Sequence, residues 1–220
     1  MSGTGDSRAA TNALLADLRE AGPVPSAAMR FLGRAARRSL RQASRRPRAL
    51  AELTAVHAVL YAAAAGRRPG RRWVVAGWGM AVLHLGLLEH RNRLAAADLV
   101  TLLRANLPAL PGGSGRACGV LAIALDVADG SLARRRGTTS PFGDHADTFA
   151  DAAFWTWFTL RHDPSRTVRT AAVAAWALPV VVVTDVALRR GAVPERPRPV
   201  LLRPAAALQV VVAVRRLARR

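Results

Sequence analysis

The 220-residue chain is 51% hydrophobic and carries a formal charge of +19, a pairing that one soluble core accommodates only if the two properties are segregated. They are: stretches of Ala, Val and Leu alternate with short arginine clusters, the pattern of a polytopic membrane protein. The single cysteine, Cys118, excludes an intramolecular disulfide framework, and all 33 basic residues are arginine, which with the abundant Ala is the habit of a high-GC bacterial genome.

In chain order, residues 1–10 are small and polar and are expected to be unstructured. The opening lacks a basic segment leading into an apolar run, so a cleaved leader is not expected and insertion would rest on internal segments. Residues 11–48 carry two helical patterns, and the second, Pro25–Arg48, holds eight arginines. It reads as a basic helix against anionic headgroups, each arginine near the surface contributing about 1 kcal/mol, or equally as a solvated basic arm. Nucleic-acid binding is not expected, because no reading motif or aromatic platform accompanies the charge.

Apolar segments follow at 49–66, 73–89, 98–110, 117–130, 146–160, 168–188 and 199–214, several of them short of the ~20 residues that cross a bilayer. The central pair extends through amphipathic turns to 117–135 and 141–161. The expected fold is therefore all-α, a polytopic transmembrane bundle of six to seven helices over residues 49–220 with its core from about 95, preceded by a basic amphipathic extension over 1–48. Basic clusters at 34–48, 91–93, 134–136 and 189–198 can all be cytoplasmic if the chain crosses twice before residue 91. Arg67, Arg68, Arg71 and Arg72 then face outward, as do Arg215, Arg216, Arg219 and Arg220, so either the first hairpin or the last helix is not expected to be a full span. Trp73, Trp78, Trp155 and Trp157 read as interface anchors or lipid contacts.

The chemistry is concentrated after Asp126, where DVADGSLARRRGTTSPFGDHADTFAD gives DxxDGxxAR, eight residues, then GxxxDxxxD. On a helix over 117–135, Asp126, Asp129, Gly130, Ala133 and Arg134 fall within about 140° of one another at ~100° per residue. On the next helix Asp147 and Asp151 share a face, with Gly143 one turn earlier. Four carboxylates thus converge from two antiparallel helices joined by a short loop of Gly, Thr, Ser and Pro. Each intramembrane carboxylate costs about 2.5–3.5 kcal/mol on insertion scales, and divalent cations supply the compensation. Hard oxygen ligands at this density suit Mg2+ or Mn2+, two of which would clamp a diphosphate. Gly130, Ala133 and Gly143 leave room for a ligand near the backbone, and Arg134 is placed to pair with phosphate. His145 reads as a loop or helix-cap histidine, and Asp144 as a fifth carboxylate that tunes a metal or faces solvent.

The run resembles the signature of the CDP-alcohol phosphatidyltransferase family, matched at all eight defined positions. The resemblance implies a six-helix membrane fold and the reaction of a CDP-alcohol with an alcohol to give a phosphodiester and CMP. It implies that Asp126, Asp129, Asp147 and Asp151 ligate the metals, Asp151 serving also as general base on the acceptor hydroxyl. Gly130, Ala133, Arg134 and Gly143 would contact the CDP moiety, with Ser140 near its phosphates. DLVTLLR, residues 98–104, is similar to the start of the family's first core helix, where Asp98 and Thr101 would line the nucleotide pocket. The spacing from there to Asp126 is a turn or two shorter than the family's. Arg189, Arg190, Arg196 and Arg198 resemble the arginines that bind the acceptor's phosphate, although they read first as topology determinants. The implied setting is phospholipid synthesis at a bacterial plasma membrane, multi-pass, with the site on the cytoplasmic side. The expected donor is CDP-diacylglycerol or another CDP-alcohol, the acceptor a small alcohol, and a homodimer follows from the resemblance. Two other classes stay open. One is a catalytically silent membrane module binding metal, CDP or anionic lipid; the other is a cation transporter, disfavoured because the polar loop at 134–142 sets the carboxylates near one surface.

Overall fold

The computed structural model describes residues 4–22, 24–192 and 203–218. Among them the chain forms α1 (Thr4–Glu20), α2 (Pro25–Ser44), α3 (Pro47–Ala63), α4 (Arg68–His84), α5 (Ala96–Asn106), α6 (Cys118–Arg135), α7 (Pro141–His162), α8 (Arg166–Arg190) and α9 (Arg203–Ala218). Single 3-10 turns lie at Leu85–Leu88 and Leu107–Ala109, and no strand occurs among the described residues. The all-α expectation holds, with seven helices after the two of the basic extension. The expectation of an unstructured start does not: α1 begins at Thr4, because Ala9, Ala10 and Ala13 are strong helix formers that carry the pattern toward the N-terminus.

The helices of the second half run alternately between two ends. One end carries the α6–α7 connection and the other the α5–α6 and α7–α8 connections. The short α5 lies between α6 and α7, its two most extensive partners, while α4 packs against α3, α2 and the turn after α5. Helix α5 has 11 residues, about 16 Å at 1.5 Å per residue. It stops where Pro108 removes the backbone donor that Arg104's carbonyl would accept from. The α6–α7 connection is fixed at both sides. Gly137, at φ 60°, ends α6 in the left-handed conformation, and the Thr138 amide donates to the Ala133 carbonyl at 2.9 Å. Ser140 then caps α7, its Oγ accepting from the Gly143 amide at 3.1 Å, with Pro141 in the first turn.

Two apolar clusters hold this arrangement. Near the α6–α7 connection Ala49, Leu53, Val82, Leu85, Leu88, Leu102 and Phe142 join α3, α4 and α5 to the start of α7. Further along, Leu107, Ala122, Phe154, Trp155, Phe158, Val212 and Ala213 join α6, α7 and α9. Trp155 is 3% exposed and belongs to this core, contrary to its reading as an interface anchor. It meets Phe154 edge-on at 5.0 Å, and the burial of an indole next to a run of Phe rings outweighs its amphipathic preference. Trp73 and Trp78 are likewise engaged, donating to the Ala105 carbonyl and to Thr54 Oγ1.

Among the described residues one helix, α8, is long and apolar enough to cross a membrane. Only 11% of its apolar window is buried, and Leu178, Val180 and Val181 are each more than half exposed. The arginines that the topology sends outward have structural work at the end away from the α6–α7 connection. Arg67 donates to the Leu110 carbonyl at 2.8 Å, Arg71 lies 4.9 Å above the Tyr61 ring, and Arg215 pairs with the buried Asp163 at 2.9 Å. They close helix-end carbonyls and neutralise an acid, roles that the side of the membrane does not dictate. Arg219 and Arg220 lie outside the described residues.

Phe158 is fully buried among Phe154, Trp155 and Ala213. Phe158→Ala is expected to cost about 3–5 kcal/mol, and a lower thermal midpoint of the purified protein in detergent checks it.

Candidate metal and nucleotide site

A polar cavity of about 280 Å³ opens beside the α6–α7 connection. Its wall includes Asp98 and Thr101 from α5, Asp126, Asp129, Gly130, Ala133 and Arg134 from α6, and Ser140, Gly143 and Asp147 from the start of α7. The structure thus gathers in one concavity residues that lie up to 49 positions apart, among them seven of the eight signature positions. The eighth, Asp151, lies one turn deeper on α7 and is joined to the others through Arg104. Asp144, exposed, lines the same cavity, whereas His145 bonds the Pro141 carbonyl and stacks on His84 outside it.

Arg104 is the residue on which the carboxylates converge. Its side chain is 1% exposed. One guanidinium nitrogen, Nη1, meets Asp126 Oδ1 and donates to Asp151 Oδ1 at 2.6 Å. The other, Nη2, meets Asp147 Oδ1 and lies 3.8 Å from Asp129 Oδ2. Thr101 Oγ1, one turn earlier on α5, donates to Asp129 Oδ2 at 2.6 Å. The short helix therefore reaches both halves of the signature, and its polar face of Asp98, Thr101 and Arg104 is in register with α6 despite the reduced spacing. Asp98 itself caps α5, taking the Ala95 amide on Oδ2 at 2.7 Å. Gly143 lies beside it, a Cβ there coming into ordinary contact with Asp98 Oδ1 at 3.4 Å.

One buried guanidinium stands against four carboxylates, Asp129 and Asp151 largely withdrawn from solvent and Asp126 and Asp147 partly open to the cavity, so the acidic groups outnumber the cation. The donor chemistry fits a hard divalent cation: Asp126, Asp129 and Asp147 each offer one oxygen, and the three lie within 4.8 Å of one another. Asp151 is not among these three. Its second oxygen, Oδ2, accepts from Gln209 Nε2 of α9 at 3.0 Å.

Arg104, Gln209 and Arg91 escaped the sequence reading. Arg104 carried a usable signal, an arginine inside an apolar segment three positions after Thr101 on the same face. Gln209 is a lone amide in a run of Val, which reads equally as a lipid-facing polar residue. Arg91 precedes α5 and donates from Nη2 to Ser140 Oγ at 2.6 Å while Nη1 lies 3.2 Å from Asp98 Oδ2; no local pattern announces it. Of the expected acceptor arginines, Arg189 is bonded to Asp185 on its own helix at 2.9 Å, and neither it nor Arg190 lines the cavity wall. Arg196 and Arg198 lie outside the described residues.

Residues 94–215, more than half of the chain, match the profile described as CDP-alcohol phosphatidyltransferase, and the chain belongs to that family. Membership makes it an enzyme of the class that transfers a phosphatidyl group from a CDP-alcohol. No curated protein and no solved structure matches the chain.

Removing the guanidinium leaves the largely buried Asp129 and Asp151 without their cation beside two further carboxylates, so Arg104→Met is expected to destabilise the chelator-treated protein by about 3–5 kcal/mol. Thermal unfolding with and without Mn2+ checks this, the ion raising the midpoint of the variant more than that of the wild type.

Proposed function

We propose that the protein transfers a phosphatidyl group from CDP-diacylglycerol to a small polar alcohol phosphate, such as glycerol 3-phosphate or an inositol phosphate, with release of CMP. The observation that carries this reading is the adjacency of two unlike cavities. The polar cavity of the four-aspartate site shares Thr101 with an apolar cavity of about 320 Å³ between α4, α5 and α7, lined by Trp73, Gly77, Met80, Leu102 and Ala153. A molecule with a charged nucleotide head and an acyl tail fits that pair better than a soluble CDP-alcohol does.

In this reading Asp126, Asp129 and Asp147 hold Mg2+ or Mn2+, two ions with Asp151 contributing. Bound there, the cations would offset charge on the diphosphate and on the attacking and leaving oxygens. Arg134, at the mouth, pairs with a phosphate, while Gly130, Ala133 and Gly143 let the nucleotide approach the helix backbones. Asp98, Thr101 and Ser140 complete the CDP pocket. Asp151 takes the proton from the acceptor hydroxyl as that oxygen bonds the phosphorus carrying diacylglycerol; the phosphoanhydride P–O bond breaks and CMP leaves. Arg196 and Arg198 are assigned to the acceptor's phosphate on the family resemblance alone, since Arg189 is paired with Asp185 and neither it nor Arg190 lines the polar cavity.

The setting proposed is a multi-pass bacterial plasma-membrane protein with its site on the cytoplasmic side. Contacts that gather basic clusters at the site's end support it: Arg46 donates to the Glu89 carbonyl at 2.8 Å, Arg91 to Ser140, and Arg19 of α1 lies against Gly191 at the end of α8.

The test uses purified protein in detergent with labelled CDP-diacylglycerol, Mn2+ and a panel of alcohols. CMP release is expected, falling by about 10²–10⁴-fold in Asp151→Asn; no release with any acceptor, despite retained CDP binding, would indicate the silent module instead. In the same assay Ala153→Phe, which fills the apolar cavity, is expected to raise KM for a long-chain donor and to leave KM for a short-chain one unchanged.

A further inference from the structure

We infer that Arg91 is a positioning residue for the nucleotide: it holds the Ser140 hydroxyl so that its proton is left for a phosphate oxygen, and it neutralises Asp98 in the same wall. The inference rests on the functional reading above, in which Ser140 and Asp98 belong to the CDP pocket. Asp98, Ser140 and Gly143 line the polar cavity, whereas Arg91 does not. Its Nη2 donates to Ser140 Oγ at 2.6 Å, and its Nη1 lies 3.2 Å from Asp98 Oδ2. The Gly143 amide also donates to Ser140 Oγ, at 3.1 Å. A hydroxyl oxygen accepts two hydrogen bonds and has one proton to donate. With both acceptor positions taken by N–H groups, Ser140 meets a ligand as a donor, which suits the oxygens of a diphosphate.

Asp98 needs the same guanidinium for a different reason. Its side chain is 3% exposed, and its Oδ2 also takes the Ala95 amide at 2.7 Å. A carboxylate withdrawn from water in the wall of a pocket for a polyanion repels the ligand unless a cation answers it. The planar fork of an arginine reaches the hydroxyl and the carboxylate together, which the single ammonium of a lysine does not. The helices before α5 set where that fork stands. The Arg91 amide donates to the Leu88 carbonyl at 3.0 Å. On one side of it Arg46 of α2 donates to the Glu89 carbonyl at 2.8 Å, and on the other Glu52 of α3 accepts from the Leu94 amide at 2.8 Å. The connection is thus tied to α2 and α3 on both sides of Arg91, and through Arg91 those helices bear on the nucleotide pocket.

The test compares the full-length wild type in detergent with Arg91→Met, which loses both contacts, and Arg91→Lys, which keeps a charge beside Asp98 without the fork. Calorimetry with CDP in the presence of Mn2+ gives nucleotide affinity, electron paramagnetic resonance of free Mn2+ without nucleotide gives metal affinity, thermal unfolding gives stability, and CMP release from CDP-diacylglycerol gives kcat and KM. Arg91→Met is expected to weaken CDP binding and to raise KM by about 10–100-fold, with Mn2+ affinity and kcat at saturating donor close to wild type, and Arg91→Lys to recover part of the loss. In a Ser140→Ala background Arg91→Met is expected to weaken CDP by a smaller factor, because one of its two routes to the nucleotide is already gone. An equal factor in both backgrounds overturns the inference. So do wild-type CDP affinity in the Met variant, Mn2+ affinity falling in step with CDP affinity, and a loss of kcat with KM unchanged. If the Met variant fails to fold, the Lys variant decides, and wild-type CDP affinity in it overturns the inference; unfolding of both identifies a structural role and overturns it as well. A wild-type protein that binds CDP but releases no CMP with any acceptor overturns the transfer reading alone, the calorimetric comparison still deciding the inference, whereas a wild-type protein that binds no CDP overturns both.

Discussion

The guanidinium of Arg104 among Asp126, Asp129, Asp147 and Asp151 is the contact on which the site's shape depends. Four acidic groups from two helices do not stay together unaided, least of all Asp129 and Asp151, which are largely withdrawn from solvent, and a single buried cation reaching all four from a third helix sets their spacing. It also explains why so short a helix as α5 is retained: its 11 residues are enough to bring Asp98, Thr101 and Arg104 along the cavity wall. Because one positive charge does not match four negative ones, the same geometry that arginine organises leaves a demand for further cations.

The helices before the family segment serve the site from outside. Arg91 ties Ser140, the cap of α7, to Asp98, the cap of α5, so the two helix starts that flank the cavity are held by one side chain. Glu52 of α3 accepts from the Leu94 amide and pairs with Arg93, fixing the approach to α5. Trp73 of α4 anchors to the carbonyl of Ala105, and α4 supplies much of the apolar cavity. The stretch from α3 to the start of α5 is in this sense a second wall, with Arg91 at the polar cavity's helix starts and Trp73, Gly77 and Met80 on the lining of the apolar cavity.

Much of this was legible in the sequence because helical periodicity and spacing are local. The signature put Asp126, Asp129, Gly130, Ala133 and Arg134 on one face and Asp147 and Asp151 on another, and the structure brings those faces together across a capped turn. Seven apolar segments became seven helices for the same reason. What could not be read is what depends on distant pairing. Gln209 lies 58 residues from Asp151 and Arg91 lies 49 from Ser140, and neither carries a pattern that names its partner. Trp155 was misjudged because composition cannot tell a lipid-facing indole from one packed on Phe154. The outward arginines looked anomalous because a topology rule counts charges without seeing the carbonyls and the Asp163 carboxylate that absorb them.

The central claim is that Asp126, Asp129 and Asp147 form a divalent-cation site beneath a nucleotide pocket. It is tested most directly by anomalous diffraction at the manganese edge from crystals grown with Mn2+ and CDP. The account predicts a manganese peak within bonding distance of carboxylate oxygens of those three residues, with the nucleotide's diphosphate beside it. CDP seated in the cavity with no manganese at the three carboxylates, or manganese bound elsewhere in the protein instead, would contradict it.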